Sequence, residues 1–176
     1  MNTFELMNNA EIVDEIERKW VMRSLPSVKW DDKIYIDQFY LMHYGKPHRI
    51  RFSYENDIWI RTSSGRQERK LRSTEFIHKE KVGKGENKEH HITVSYEEAQ
   101  ELAKKATRRV TKVRHVFHDD VKYEVDVFLN VTLVMMEAEV ETMTQELFIP
   151  ERIQPEILAE VTGQNGFDNY NIAHII

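Results

Sequence analysis

Apolar and polar residues alternate with period two along most of this chain, in segments rich in Val, Ile, Tyr and Phe. The alternation predicts strands at 11–21, 34–42, 48–54, 57–62, 74–81, 88–94, 109–118, 121–129 and 132–142. Two segments carry helical signals instead. SYEEAQELAKKAT (95–107) opens on Ser95 with Glu98 three residues on, a capping box, and Ala99, Leu102, Ala103 and Ala106 form a narrow apolar stripe. PEILAEV (155–161) starts with Pro155, suited to a first helical position, and stops before Gly163. Short helical turns are expected near the N-terminus and at 169–175. SSGRQERKLRS (63–73) and KVGKGENK (81–88) read as hairpin tips. So many consecutive strands, mostly joined by short turns and interrupted by few helices, predict an antiparallel meander or barrel rather than a doubly wound α/β sheet.

The polar half of the alternation is sorted by sign. Glu15, Glu17 and Lys19 share one strand face, Arg49 and Arg51 another, Lys112 and Arg114 a third; Glu124 pairs with Asp126, and Glu137, Glu139 and Glu141 follow in a row. A solvated sheet face with cross-strand ion pairs, worth about 0.2–1 kcal/mol each, accounts for any one of these strands. It does not account for the sorting, because like charges at i and i+2 repel unless an opposite charge lies between them. Neighbouring carboxylates suit a hard cation such as Mg²⁺ or Mn²⁺, and Arg or Lys pairs suit phosphate oxygens. Together they predict a polyphosphate site, with the charged faces turned inward if the strands close into a barrel.

Composition narrows the classes. The 176 residues suit one domain spanning 1–176, and 40% hydrophobic with 31% charged residues fits a globular chain. No apolar stretch is long enough to span a bilayer and no signal-peptide core is evident, so a cytoplasmic location and no membrane partner are the expectation. The absence of cysteine removes thiolate metal sites and cysteine nucleophiles. A net charge of −5 argues against an extended nucleic-acid surface, while leaving room for a small anion or a 5′-triphosphate RNA end.

EIERK (15–19) resembles the ExExK signature of the CYTH, or triphosphate tunnel metalloenzyme, superfamily. The resemblance runs on in order: QFYL (38–41), HRIR (48–51), FIHK (76–79), SYEEAQEL (95–102), TKVRH (111–115), YEVDVF (123–128), LVMMEAEVE (133–141), and LFIPERIQPEILAEVTG followed by NYNIA. It implies a mainly β (α+β) fold, a closed antiparallel barrel of about eight strands forming a charged tunnel with a few packing helices. It also implies Mg²⁺- or Mn²⁺-dependent hydrolysis of a triphosphate-containing small molecule. Carried over by position, Glu15, Glu17, Asp126, Glu137 and Glu139 would hold metal, and Lys19, Arg49, Arg51, Lys79, Lys112 and Arg114 would hold phosphates. Glu15, Glu17, Lys19, Glu137 and Glu139 would be the catalytic set. A cyclase making cyclic AMP and a non-catalytic nucleotide or polyphosphate binder are the alternatives, and a homodimer is left open.

This chain departs from the family pattern in places. Residues 52–75 form an extra segment containing IWIRTSSG, so Arg61 competes with Arg49 and Arg51 for the arginine strand. Lys81 competes with Lys79. His91 stands where members often carry a second Glu, and His174 where many carry a Lys near the C-terminus. Zinc is not favoured by the eight histidines, because His90 and His91 must point to opposite faces and no ligand spacing is present. Trp20, Trp30 and Trp59 are expected in packing, Asp119-Asp120 in a turn, and Gly83 and Gly85 in a tip rather than a phosphate loop.

Overall fold

The computed structural model of the chain describes residues 8–176. Its strands are β1 Glu11–Met22, β2 Asp32–His43, β3 Lys46–Arg61, β4 Gln67–Gly83, β5 Glu86–Thr93, β6 Arg108–His118, β7 Lys122–Phe128, β8 Val134–Glu139, β9 Ile157–Glu160 and β10 His174–Ile175. Eight of them pair edge to edge in the order β6-β2-β3-β4-β5-β1-β8-β7, and β7 closes on β6. Every pairing around the ring is antiparallel. Closure leaves no long free edge, and alternation then gives each strand one face toward the lumen and one away from it.

The barrel is inverted relative to an oil-filled one. Trp20, Met22, Phe117, Tyr123, Val125, Met136 and Ala138 form an apolar cluster on the outer face, capped by Ile153 and by partly buried Leu25, Val28, Trp30 and Leu147. A second outer cluster of Leu41, Ile50, Phe52 and Phe76 is covered by Ala99 and Leu102. Those two residues belong to α1 (Tyr96–Ala103), whose capping box is complete: Glu98 N–H donates to the Ser95 hydroxyl and Ser95 N–H donates to the Glu98 carboxylate. The helix stops well before residue 107 because the Thr107 N–H already bonds the Tyr40 carbonyl as the chain turns into β6. A third cluster, Tyr40, Val110, Phe128, Met135 and Ala173, shares strand faces with the inward charges and fills one end of the lumen. Phe167, and Tyr170 within α2 (Asn169–Ile172), pack on it from the C-terminal segment.

Several expectations are corrected. Residues 155–161 are not a helix: a 3-10 turn, Gln154–Glu156, leads into β9, which pairs with β1 at Trp20–Met22. The cause is an unsatisfied edge. β5 leaves β1 after Ile16 and the Glu17 N–H makes the last bond, to Gly85, so the backbone of residues 18–22 is open on that side, and a seven-residue helix is too short to outcompete its hydrogen bonds. The segments 48–54 and 57–62 are one strand, β3, with a register irregularity between Tyr54 and Trp59. Most of 63–73 is strand as well; its polarity on both faces reflects a β3–β4 hairpin that runs past the barrel wall into solvent, where no apolar face is required. Glu141 lies beyond β8, so only Glu137 and Glu139 of that run occupy the strand. The helical turn expected near the N-terminus falls outside the described residues, whereas the one at 169–175 appears as α2 followed by β10.

Candidate active site

The inward faces enclose a cavity of about 630 Å³. Its described lining contains nine carboxylates against five Lys or Arg side chains and one histidine, His91. The two signs are sorted by strand in part, with Glu75 and Glu89 placed among the cations. β1 and β8 contribute Glu15, Glu17, Glu137 and Glu139; β3 and β4 contribute Arg49, Arg51 and Lys79. The register explains this meeting: Glu17 lies opposite Glu139 and Lys19 opposite Glu137 across the β1–β8 pair.

On the acidic side, Lys19 Nζ lies 3.2 Å from Glu137 and 3.6 Å from Glu17. Lys79 Nζ reaches Glu15 at 2.5 Å and Glu17 at 3.5 Å. Burial and the nearby Glu137 charge push the Glu17 carboxyl up to about 7, against the pull of Lys79 and Lys19. Burial also acts against the Glu137 charge, but Lys19 and then Arg114 outweigh it and hold that carboxyl below its usual range. Burial opposes the charge of Lys79 as well, and Glu17, Glu15 and Glu89 raise its pKa well above the ordinary lysine value. Glu17 is positioned by backbone: its N–H donates to the Gly85 carbonyl at 2.9 Å. Gly85 has φ +71°, and a Cβ there would fall 2.5 Å from the Glu17 carbonyl oxygen, so only glycine fits this approach.

The cationic side is organised by two carboxylates. Glu89 accepts from Arg49 at 2.9 Å, lies 3.3 Å from Lys79 and meets His91 Nε2 at 2.6 Å. Glu75 lies 3.5 Å from His91 Nδ1 and 3.9 Å from Arg51. Arg51 Nε also donates to the Gln38 side-chain oxygen at 2.9 Å.

Other predicted residues sit deeper or at the edge. Arg114 lines the cavity, donates to both oxygens of Asp126 at 2.8 Å, and pairs with Glu124 and Glu137. Lys112 lies below the lining, fully buried, bonded to Asp126 at 2.5 Å and to the Asn169 side chain at 3.2 Å. Burial drives its pKa down to about 8 despite Asp126. Both Asp126 oxygens are therefore engaged by cations. Glu139, half exposed, marks the rim with Lys122 at 2.9 Å.

The competing assignments separate cleanly in space. Arg49 and Arg51 line the cavity, while Arg61 sits at the exposed hairpin tip near the Gly65 carbonyl. Lys79 is in the cavity; Lys81 binds Asn165 and Asp168 of the C-terminal segment. That segment closes the barrel end where Lys19 and Lys81 border a separate space of about 30 Å³. His174 is exposed and pairs with Arg109 on the outside of β6, so it makes no contact in the lumen. His91 faces the cavity, and His90 lies on the other face beside His78.

Sequence reasoning missed Glu75 and Lys122 and gave Glu89 no role. The inward face of β4 reads Glu75, Ile77, Lys79, and the buried Ile77 interrupts the charge pattern that marks the other strands. The pairing of Glu89 with Arg49, forty positions away, is a property of register alone.

The donor set suits a hard divalent cation. Its atoms are carboxylate oxygens, the lining is short of positive charge, and burial with the Glu137 charge lifts the Glu17 carboxyl to about 7, a shift that a bound cation would relieve. Among the described residues no three such groups converge on one point; Mg²⁺ needs only one or two protein carboxylates when phosphate and water complete its shell.

No family model and no curated protein matches the sequence. Among solved structures, the inorganic triphosphatase NE1496 matches with a TM-score of 0.57 at 21% identity, over 92% of this chain and 95% of that one. A second structure of NE1496 matches with a TM-score of 0.58 at 22% identity, over 92% and 99% of the two chains. At this identity the likeness is one of fold, and it extends over nearly the whole of both chains.

Proposed function

We propose that the protein hydrolyses a phosphoanhydride bond of a triphosphate held in the barrel, with Mg²⁺ or Mn²⁺ bound at the acidic wall. The observation that carries this reading is the lining itself, a cationic wall facing a carboxylate wall across one cavity with carboxylates in excess. A bare polyanion would be repelled by that excess, whereas a metal-bound triphosphate is matched to both walls. The fold shared with a protein named as an inorganic triphosphatase supports the same reading.

Glu15, Glu17, Glu137 and Glu139 would hold the metal. Once bound, it would neutralise phosphate oxygens and lower the pKa of a coordinated water. Arg49, Arg51, Lys79 and Arg114 would hold the phosphate chain, and Lys19 would reach its inner end. Asp126, with both oxygens taken, would orient Arg114 and Lys112 instead of binding metal.

Inorganic tripolyphosphate is the favoured substrate within this class. No Phe, Tyr or Trp is among the described lining residues, so the described lining offers a base or a thiazole ring no large aromatic stacking surface. The same observation speaks against a nucleotide cyclase. A phosphate-release panel of tripolyphosphate, thiamine triphosphate, nucleoside triphosphates and a 5′-triphosphate RNA, with Mg²⁺ and with Mn²⁺, tests this. The expected result is a kcat/KM for tripolyphosphate at least about tenfold above every organic substrate, the ratio that one lost stacking or polar contact of about 1.4 kcal/mol produces. A preference for any organic triphosphate would overturn the inorganic assignment, and cyclic nucleotide with pyrophosphate as products would replace hydrolysis by cyclisation.

A further inference from the structure

His91 is the one histidine among the described lining residues, and both of its ring nitrogens face carboxylates, Glu89 at 2.6 Å and Glu75 at 3.5 Å. A neutral imidazole has one N–H and one lone pair, so it satisfies only one of two acceptors; an imidazolium satisfies both. The same two carboxylates are the partners of Arg49, Lys79 and Arg51. An unbroken chain results, Arg51–Glu75–His91–Glu89–Arg49, drawn from β3, β4 and β5. Glu89 is nearly buried, with a side-chain exposure of 6%. Without a further cation it would draw Arg49 and Lys79 toward itself and leave them less able to bind an anion.

We propose that His91 is a positioning residue for the anion-binding wall: held as an imidazolium between Glu75 and Glu89, it neutralises one oxygen of each carboxylate and so weakens their hold on Arg49, Arg51 and Lys79, which meet the other oxygens and exchange them for phosphate. Replacing it with a neutral residue lowers the net charge of that wall by one; a Glu in its place would lower it by two. Hydrogen bonding to Glu75 and then to Glu89 raises the His91 pKa to about 9, so the imidazolium persists at neutral pH. The charged groups around it are Glu89 on its own strand, Glu75 on β4, Arg49 and Arg51 on β3, and Glu11, its register partner on β1. Because the folded pKa is raised, the charged state is complete at low pH and is lost as pH rises through about 9.

This inference rests on the proposed function for its consequence, and its test separates the two. Binding of inorganic tripolyphosphate with Mg²⁺, and its turnover, are measured for the wild type, His91→Gln and His91→Lys between pH 7 and 10. At pH 7, His91→Gln raises Kd and KM about tenfold with kcat changed less than about twofold, the loss expected of one charge-assisted contact. The wild type falls to the level of His91→Gln as pH passes about 9. His91→Lys restores binding and keeps it at that pH. Equal Kd values for wild type and His91→Gln at pH 7, or a ratio that does not change up to pH 10, would overturn the proposal. The ¹⁵N shifts of the His91 ring decide the charge state without any substrate. An imidazolium at pH 7.5 alongside a wild type that binds no triphosphate refutes the function and leaves the charge assignment standing; a neutral ring at pH 7.5 refutes the inference itself.

Discussion

Glu137→Gln is expected to lower turnover of tripolyphosphate by about 10²–10³ while leaving the fold intact, the size of loss seen when one preorganised electrostatic group is removed from an active site. Glu137 is buried between Lys19 and Arg114, and its amide counterpart keeps the volume and one acceptor oxygen. The cations are not stranded by the change. Glu17 stands 3.6 Å from Lys19 and is held up to about 7 partly by the Glu137 charge, so neutralising Glu137 lets Glu17 ionise and take over as counter-ion. Stability and activity therefore separate at this position: the thermal midpoint stays within a few degrees while kcat collapses. A Glu137→Gln protein that keeps wild-type kcat would remove the acidic wall from the chemistry, and the same comparison at Glu15, Glu17 and Glu139 shows whether the wall acts as a unit.

Asp126→Ala is expected to behave in the opposite way and damage the fold first. Lys112 is completely buried, hydrogen-bonded to Asp126 and the Asn169 side chain and lying over the Phe128 ring, with Asp126 its paired carboxylate; Arg114 directs two of its nitrogens at the same carboxylate. Removing one member of such a buried pair leaves an uncompensated charge, at a cost of about 3–5 kcal/mol. For a chain of this size that corresponds to a fall of roughly 10 °C in the thermal midpoint. The substitution leaves the Asn169 side chain as the remaining hydrogen-bond partner of Lys112. Calorimetric unfolding of Asp126→Ala beside Asp126→Asn measures the effect; a midpoint unchanged in both would mean that this buried cluster contributes nothing to holding the barrel together.

The contrast between these two carboxylates marks how far the sequence alone could be read. Period-two alternation identified the strands, and sign-sorted faces identified which side would be wet, because both are local properties of a pleated chain. Ser95 and Glu98 fixed the start of α1 for the same reason. The errors arose where a partner distant in sequence decides the outcome. PEILAEV has helix-start chemistry, yet the open backbone of residues 18–22 converts it to strand. The polar arm of the β3–β4 hairpin looked like loop because it meets solvent on both sides. Within the site, Glu15, Glu17, Glu137, Arg49 and Lys79 were legible as inward residues. That Asp126 pairs with Lys112 and Arg114, that Glu89 gathers Arg49, Lys79 and His91, and that His174 lies outside the lumen follow from register and burial, which spacing does not contain.

The inverted barrel also gives the site a packed support. Its charged lining is anchored by two apolar clusters on the outer face and an apolar plug at the inner end, so the ion pairs are not asked to hold the fold alone. Lining charges are arranged before any ligand arrives, the condition under which electrostatic stabilisation of a developing phosphoryl charge is most effective.

The most direct test of the central claim is ³¹P NMR of tripolyphosphate incubated with the purified protein, with Mg²⁺ or Mn²⁺ and then with excess chelator. The account predicts one orthophosphate and one pyrophosphate per tripolyphosphate consumed, with metal only. Tripolyphosphate left intact with either metal, or consumed equally fast in chelator, would contradict it.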